Sequence, residues 1–153
     1  MSGFKRILVA VDLSEESGYI IARAMEVAAE DSEIHLVYVQ EPMEAVYMGV
    51  VPYGPVFLGM DQVEDRLQKE LKGKLASWAD QHGIPADHAH FLNGSPAREI
   101  HRFADEHGTD LIVLGTHGQR GVQLLLGSTA NSVLHGAKCD VLAVRVQGGD
   151  VDD

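Results

Sequence analysis

The chain has 153 residues, of which 45% are hydrophobic, with one cysteine and a formal net charge of -11. That length suits a single domain able to bury a core without disulfides or a structural metal, and the negative charge opposes nonspecific binding to nucleic acid or anionic lipid, which carry the same sign. No apolar run approaches the roughly 18 residues of a membrane span, so neither nucleic acid nor a membrane is an expected partner.

The opening MSGFKRILVAVDLS reads as a first strand rather than an export signal, because the apolar run RILVAV breaks at Asp12 and no small-residue cleavage site follows. Together with the lone Cys139, which has no internal disulfide partner and reads as a small buried hydrophobe, this predicts a reducing, cytoplasmic setting. Continuous apolarity of that length suits a strand covered on both faces. Ser14 is then the expected N-cap of a helix, with Glu15 and Glu16 in the first turn and Ile20, Ala24, Val27 and Ala28 at helical spacing.

After a break at Asp31 and Ser32, IHLVYV is the expected second strand. The stretch from Gln40 to Gly59 carries three prolines and three glycines among Met, Val, Tyr and Phe, and is expected to form no regular element. Val63, Leu67, Leu71, Leu75 and Trp78 make the apolar stripe of a second helix, stopped near Gly83 and Pro85. HAHFL is a third strand; Ser95 as N-cap, Pro96 at the first helical position and Gly108 as stop define a third helix. DLIVLG, STANSVLHGA and DVLAVRV complete the order as strand, helix and strand.

This alternation predicts a single-domain, three-layer α/β/α sandwich around a five-stranded parallel sheet. With strand order 3-2-1-4-5 the winding reverses between the first and fourth strands, and a ligand is expected beyond their carboxyl ends. The loops facing that crevice are VDLS and GTHG. Gly115, Gly118, Gly121 and Gly127 fall within thirteen positions there, and Gly127 and Ser128 start a helix. Glycine permits close backbone approach, and a helix N-terminus presents unpaired N–H groups and partial positive charge, so a phosphate cradle is one reading. A surface loop in which Ser128 caps its helix is the other.

The segments VAVDLSEES, GTHGQRGVQLLLGSTANSVL and KCDVLAVRV resemble the universal stress protein family over nearly the whole chain. The family hallmark of two glycines separated by two residues, then about nine residues, then Gly with Ser or Thr, is matched by Gly115, Gly118, Gly127 and Ser128, although eight residues separate Gly118 from Gly127. The resemblance implies a universal stress protein domain over residues 1–147; the acidic stretch 148–153 has no apolar periodicity and is expected to be a disordered, solvated tail. It implies a cytoplasmic homodimer in stress response that binds ATP or AMP with Mg or Mn as a regulatory ligand. Carried over, Ala10, Asp12 and Val39 would meet the adenosine, Asp12 also holding the metal. Leu114, Gly115, His117 and Gly118 would line the sugar and phosphate side, and Gly127, Ser128 and Thr129 would bind phosphates. Catalysis would be at most slow ATP hydrolysis or self-phosphorylation at Ser128 or Thr129. One branch of the family lacks nucleotide, so a nucleotide-free dimer acting as a protein-interaction module is the alternative.

Outside that pattern, Asp12 read alone is either a metal or ribose ligand or a carboxylate satisfying loop N–H groups. His88 and His90 would share one strand face, but no third metal ligand follows at a recognisable spacing. No nucleophile elbow, Walker sequence or G-x-G-x-x-G after the first strand is present. Met43 to Leu58 is an apolar loop able to cover an adenine edge, meet an unidentified protein partner or pack on the sheet end. The last strand would expose an apolar edge, predicting a dimer joined edge to edge through Val141 to Val146.

Overall fold

The computed structural model describes residues 3–42, 60–116 and 128–146. Its five strands are β1 (Phe4–Ala10), β2 (Ala28–Gln40), β3 (Ala89–Asn93), β4 (Leu111–Gly115) and β5 (Asp140–Val144). All pair in parallel in the order β3-β2-β1-β4-β5, as the alternation predicted. Among the described residues the helices are α1 (Ser17–Glu26), α2 (Met60–Gln81), α3 (Pro96–Glu106) and α4 (Ser128–Gly136), and none is long and apolar enough to cross a membrane.

β1 shows why an unbroken apolar run marks a central strand. Side chains alternate between faces, so Ile7 and Val9 join Ile20, Ile21, Leu75 and Ala79 under α1 and α2. Leu8, between them, joins Ile100, Phe103, Ala130 and Val133 under α3 and α4. All three strand residues are buried, Leu8 and Val9 completely. The core is thus two apolar layers separated by the sheet.

Several boundaries differ from the sequence reading. Ser14 does not cap α1; the helix begins three residues later, after Glu16, with no side-chain cap. The Ser14 amide donates to Asp12 Oδ1 at 3.0 Å and its hydroxyl to Glu16 Oε1 at 3.0 Å, so neither group serves the helix. Val27 is the C-cap and Ala28 already belongs to β2. The expected break at Asp31 and Ser32 lies inside β2 as an irregularity, where β1 advances from Phe4 to Arg6 while β2 advances from Ala28 to Glu33. Gln40 closes β2 rather than opening a loop. His88 sits in a 3-10 turn, Ala86–His88, so it does not share a strand with His90.

Ser95 and Pro96 open α3 as expected, although the Ser95 side chain makes no cap bond. His107 is its C-cap. Gly108 follows with φ +64°, the left-handed conformation that ends a helix at little cost only for glycine. β5 stops at Val144, two residues earlier than expected, with Val146 still buried beyond it. Cys139 is half-buried beside the α3/α4 layer, and burial pushes its thiol pKa up, consistent with an unreactive hydrophobe.

One polar clamp aligns β1 with β4. Asp110 accepts the Lys5 and Arg6 amides at 3.0 Å each, while its own amide donates to the Arg6 carbonyl at 2.8 Å. Replacing it with alanine removes both acceptors at an exposed strand end, so Asp110→Ala should lower unfolding free energy by about 1–2 kcal/mol in urea titration. An unchanged midpoint would show that water substitutes fully for the carboxylate.

Candidate functional site

The strand order reverses at β1, which pairs with β2 on one side and β4 on the other. Ala10 lies at the point of divergence, aligned with Val37 and with Leu114. Beyond it the Val11 amide still donates to the Val37 carbonyl at 3.0 Å, holding the chain toward β2. On the other side the Thr116 amide donates to the Val144 carbonyl at 3.0 Å, holding the end of β4 toward β5. The two chain ends therefore separate at the sheet's carboxyl edge, which is the crevice expected in open α/β sheets.

Asp12 follows β1 directly and is half-buried. Its Oδ1 accepts the Ser14 amide, and among the described residues its Oδ2 has no recorded hydrogen bond. The turn is held by Leu13, a non-glycine residue at φ +63°. Such a conformation costs about 1–2 kcal/mol, and Leu13 is kept there by burial in the α1/α2 layer. Tyr38 on β2 feels the same carboxylate: burial raises its phenol pKa first, and Asp12 and Glu41 add to the shift.

Val39 ends its apolar run on the α3/α4 face, aligned with Leu92. Leu114 is buried in that layer, so only its backbone faces the crevice edge. Gly115 has a packing reason as well as any ligand reason, because a Cβ there would meet Ile20 Cδ1 at 2.8 Å. Ser128 opens α4 and Thr129 in its first turn is exposed. The structure thus brings Ala10, Asp12, Leu114 and Gly115 to one edge. His117, Gly118, Gly121 and Gly127 lie outside the described residues, as do the Ser128 side chain, the apolar segment Met43–Leu58 and the tail 148–153.

Sequence reasoning did not single out two buried polar atoms on this side of the sheet. Gln40 Oε1, at the end of β2, and Ser17 Oγ, at the start of α1, are buried with no hydrogen-bond partner among the described residues. An unsatisfied buried acceptor is costly and is a signal for a ligand or water. Among the described residues no group of three or more His, Cys, Asp or Glu is arranged to hold a metal. Magnesium commonly binds one or two carboxylates and completes its shell with water and substrate phosphates, so Asp12 fits a metal carried in by a nucleotide.

Two concavities lined by described residues lie at the opposite, amino-terminal edge. One of about 350 Å³ is bordered by Arg6, Glu33, His35 and His107, and one of about 220 Å³ by His101, Lys138 and Cys139. Neither touches Asp12 or Gly115.

Residues 3–145 match the profile of the Universal stress protein family. Universal stress protein A homolog 2 of Coxiella burnetii is 42% identical over 150 residues, covering 97% of this chain and 99% of the relative. Among solved structures, MJ0577, a hypothetical protein whose biochemical function was assigned from its structure, shares the fold with a TM-score of 0.76 at 22% identity, over 94% of this chain and 97% of its own. A universal stress protein solved in complex with cAMP aligns with a TM-score of 0.58 at 22% identity, over 94% and 98% of the two chains. Sheet order and sequence therefore agree, and the chain belongs to the Universal stress protein family.

Proposed function

We propose that this protein binds an adenine nucleotide, ATP or AMP, with magnesium or manganese, at the carboxyl edge between β1 and β4, and that the ligand regulates it rather than being turned over as a substrate. The observation that carries the reading is the divergence of β1 and β4 at Ala10 and Gly115, with Asp12 held beside it by the strained Leu13 turn. Ala10 and Val39 offer apolar surface to the adenosine, and the orphaned Gln40 oxygen at the same edge suits a ligand bearing an amino donor. Asp12 holds the ribose or the metal. Gly118, Gly127, Ser128 and Thr129 supply N–H and hydroxyl groups to phosphate, where the start of α4 favours negative charge. The metal, when bound, would neutralise phosphate charge; the chain itself binds, orients and shields.

The structural neighbour in complex with cAMP supports an adenine ligand on this fold. Binding only to the folded loop stabilises that loop, and a partner protein reads the altered surface. β5 is an edge strand of the sheet, and pairing through Val141 to Val146 would make the homodimer that presents this surface twice.

Titration of Asp12→Asn with ATP tests the carboxylate's role. Affinity in magnesium should fall about tenfold, while affinity in chelator should stay close to that of the unsubstituted protein. Equal affinities in magnesium would remove Asp12 from the metal's coordination.

A further inference from the structure

At the opposite edge of the sheet, four histidines from three separate stretches of the chain meet: His35, the near neighbours His88 and His90, and His107. The His35 ring on β2 stacks on His88 with centroids 4.0 Å apart and planes 15° apart. Its Nδ1 is 2.9 Å from His90 Nε2 on β3, and its Nε2 is 3.6 Å from a Glu33 carboxylate oxygen. Phe103 of α3 packs on His90 at 4.6 Å and stacks on His107 at 3.7 Å and 12°. His88 Nδ1 bonds the Ile34 carbonyl and His107 Nδ1 the Phe103 carbonyl. The last turn of α3 thus meets β2 and β3 through imidazole rings where an ordinary α/β layer would have aliphatic side chains.

The His35–His90 pair needs a neutral ring. The His35–His90 contact requires one nitrogen to donate and the other to accept, so it cannot persist with both rings protonated. If His90 donates to His35, His35 can in turn donate toward Glu33, giving one consistent tautomer for the chain. Two stacked imidazolium rings would repel, and half-buried surroundings screen that repulsion poorly. Among the described residues, the charged groups facing the cluster are Glu33 of β2, Asp87 beside His88, Glu106 of α3, and Arg6 of β1, whose guanidinium donates to the His107 carbonyl at 3.3 Å.

We propose that the His35–His90 pair, packed between His88 and the Phe103–His107 stack, forms an acid-sensitive latch, holding the carboxyl-terminal turn of α3 on the sheet while neutral and releasing it on protonation. Burial, followed by the neighbouring histidines, holds both His35 and His90 below the ordinary histidine value. The unfolded or opened state therefore binds protons first. The latch's stabilisation is complete above the ordinary value of about 6.5 and is lost as pH falls below it through the folded values. This device lies away from the nucleotide edge and does not depend on that reading.

Hydrogen exchange on the full-length protein tests it. Protection factors of the Phe103–Thr109 amides should fall on the order of tenfold between about pH 7.5 and pH 5.5, and the paired variant His35→Gln/His90→Gln should lose most of that dependence. His101 on the same helix bonds the Val133 carbonyl at 2.8 Å, so His101→Gln is the control that should retain it. Unchanged protection in the natural protein overturns the latch, as does dependence that survives in the paired variant or vanishes with His101. Should the paired variant fail to fold, ring resonances of the natural protein decide: His35 and His90 must titrate together below free imidazole.

Discussion

Leu8→Ala should lower the unfolding free energy by about 3–5 kcal/mol, the upper range for truncating a buried leucine. Leu8 is completely buried in the central strand, beneath α3 and α4, and is aligned with His35 on one side and Ile112 on the other. Neighbours in a sheet held from both edges cannot collapse into the space left, so the cavity remains. Against a typical total of about 5–15 kcal/mol, this single change would bring the protein near its threshold. Leu134→Ala on α4, where the side chain is 45% exposed, should change stability by less than about 0.5 kcal/mol in the same urea titration. Similar effects at the two positions would contradict the two-layer core.

The second large effect is expected at Gly127, which immediately precedes the first residue of α4. On the proposed reading, an indole there would occupy the space that a phosphate needs to approach the helix amides. Gly127→Trp should weaken ATP binding about a hundredfold or more, with little change in the urea midpoint. Retained affinity in a folded variant would place the nucleotide elsewhere on the protein.

Much of the architecture was legible because burial writes itself into local pattern. RILVAV and DLIVLG are apolar without alternation, and both became strands covered on two faces. Pro96 and Gly108 marked the ends of α3 through fixed φ and tolerance of positive φ, which are properties of single residues. Ser14 misled because its residue type suits a cap, while the bonds it makes depend on Asp12 and Glu16. The early start of β2 was hidden because Ala28 to Ser32 is too polar to read as a strand; its pairing is set by β1.

The candidate site was legible in part. Asp12 and the glycines carry a spacing that sequence can show, and sheet order brings Ala10 and Leu114 together. Neither Leu13's strained φ nor the orphaned Gln40 oxygen has any signature in residue type alone. Nor could spacing reveal the histidine cluster: His35 and His90 are 55 positions apart, and only the β2–β3 pairing makes them neighbours. Gly115 is instructive in the other direction, since a Cβ there would crowd the end of the Ile20 side chain, a packing cost that involves no ligand.

Calorimetric titration of ATP, and separately AMP, into the natural protein with magnesium tests the central claim most directly. A saturable heat at one site per chain, with a dissociation constant on the order of micromolar, is the predicted result. No heat at either ligand across a range of temperatures, with no rise in melting temperature at millimolar nucleotide, would contradict it, because any ligand bound to the folded state alone must stabilise it.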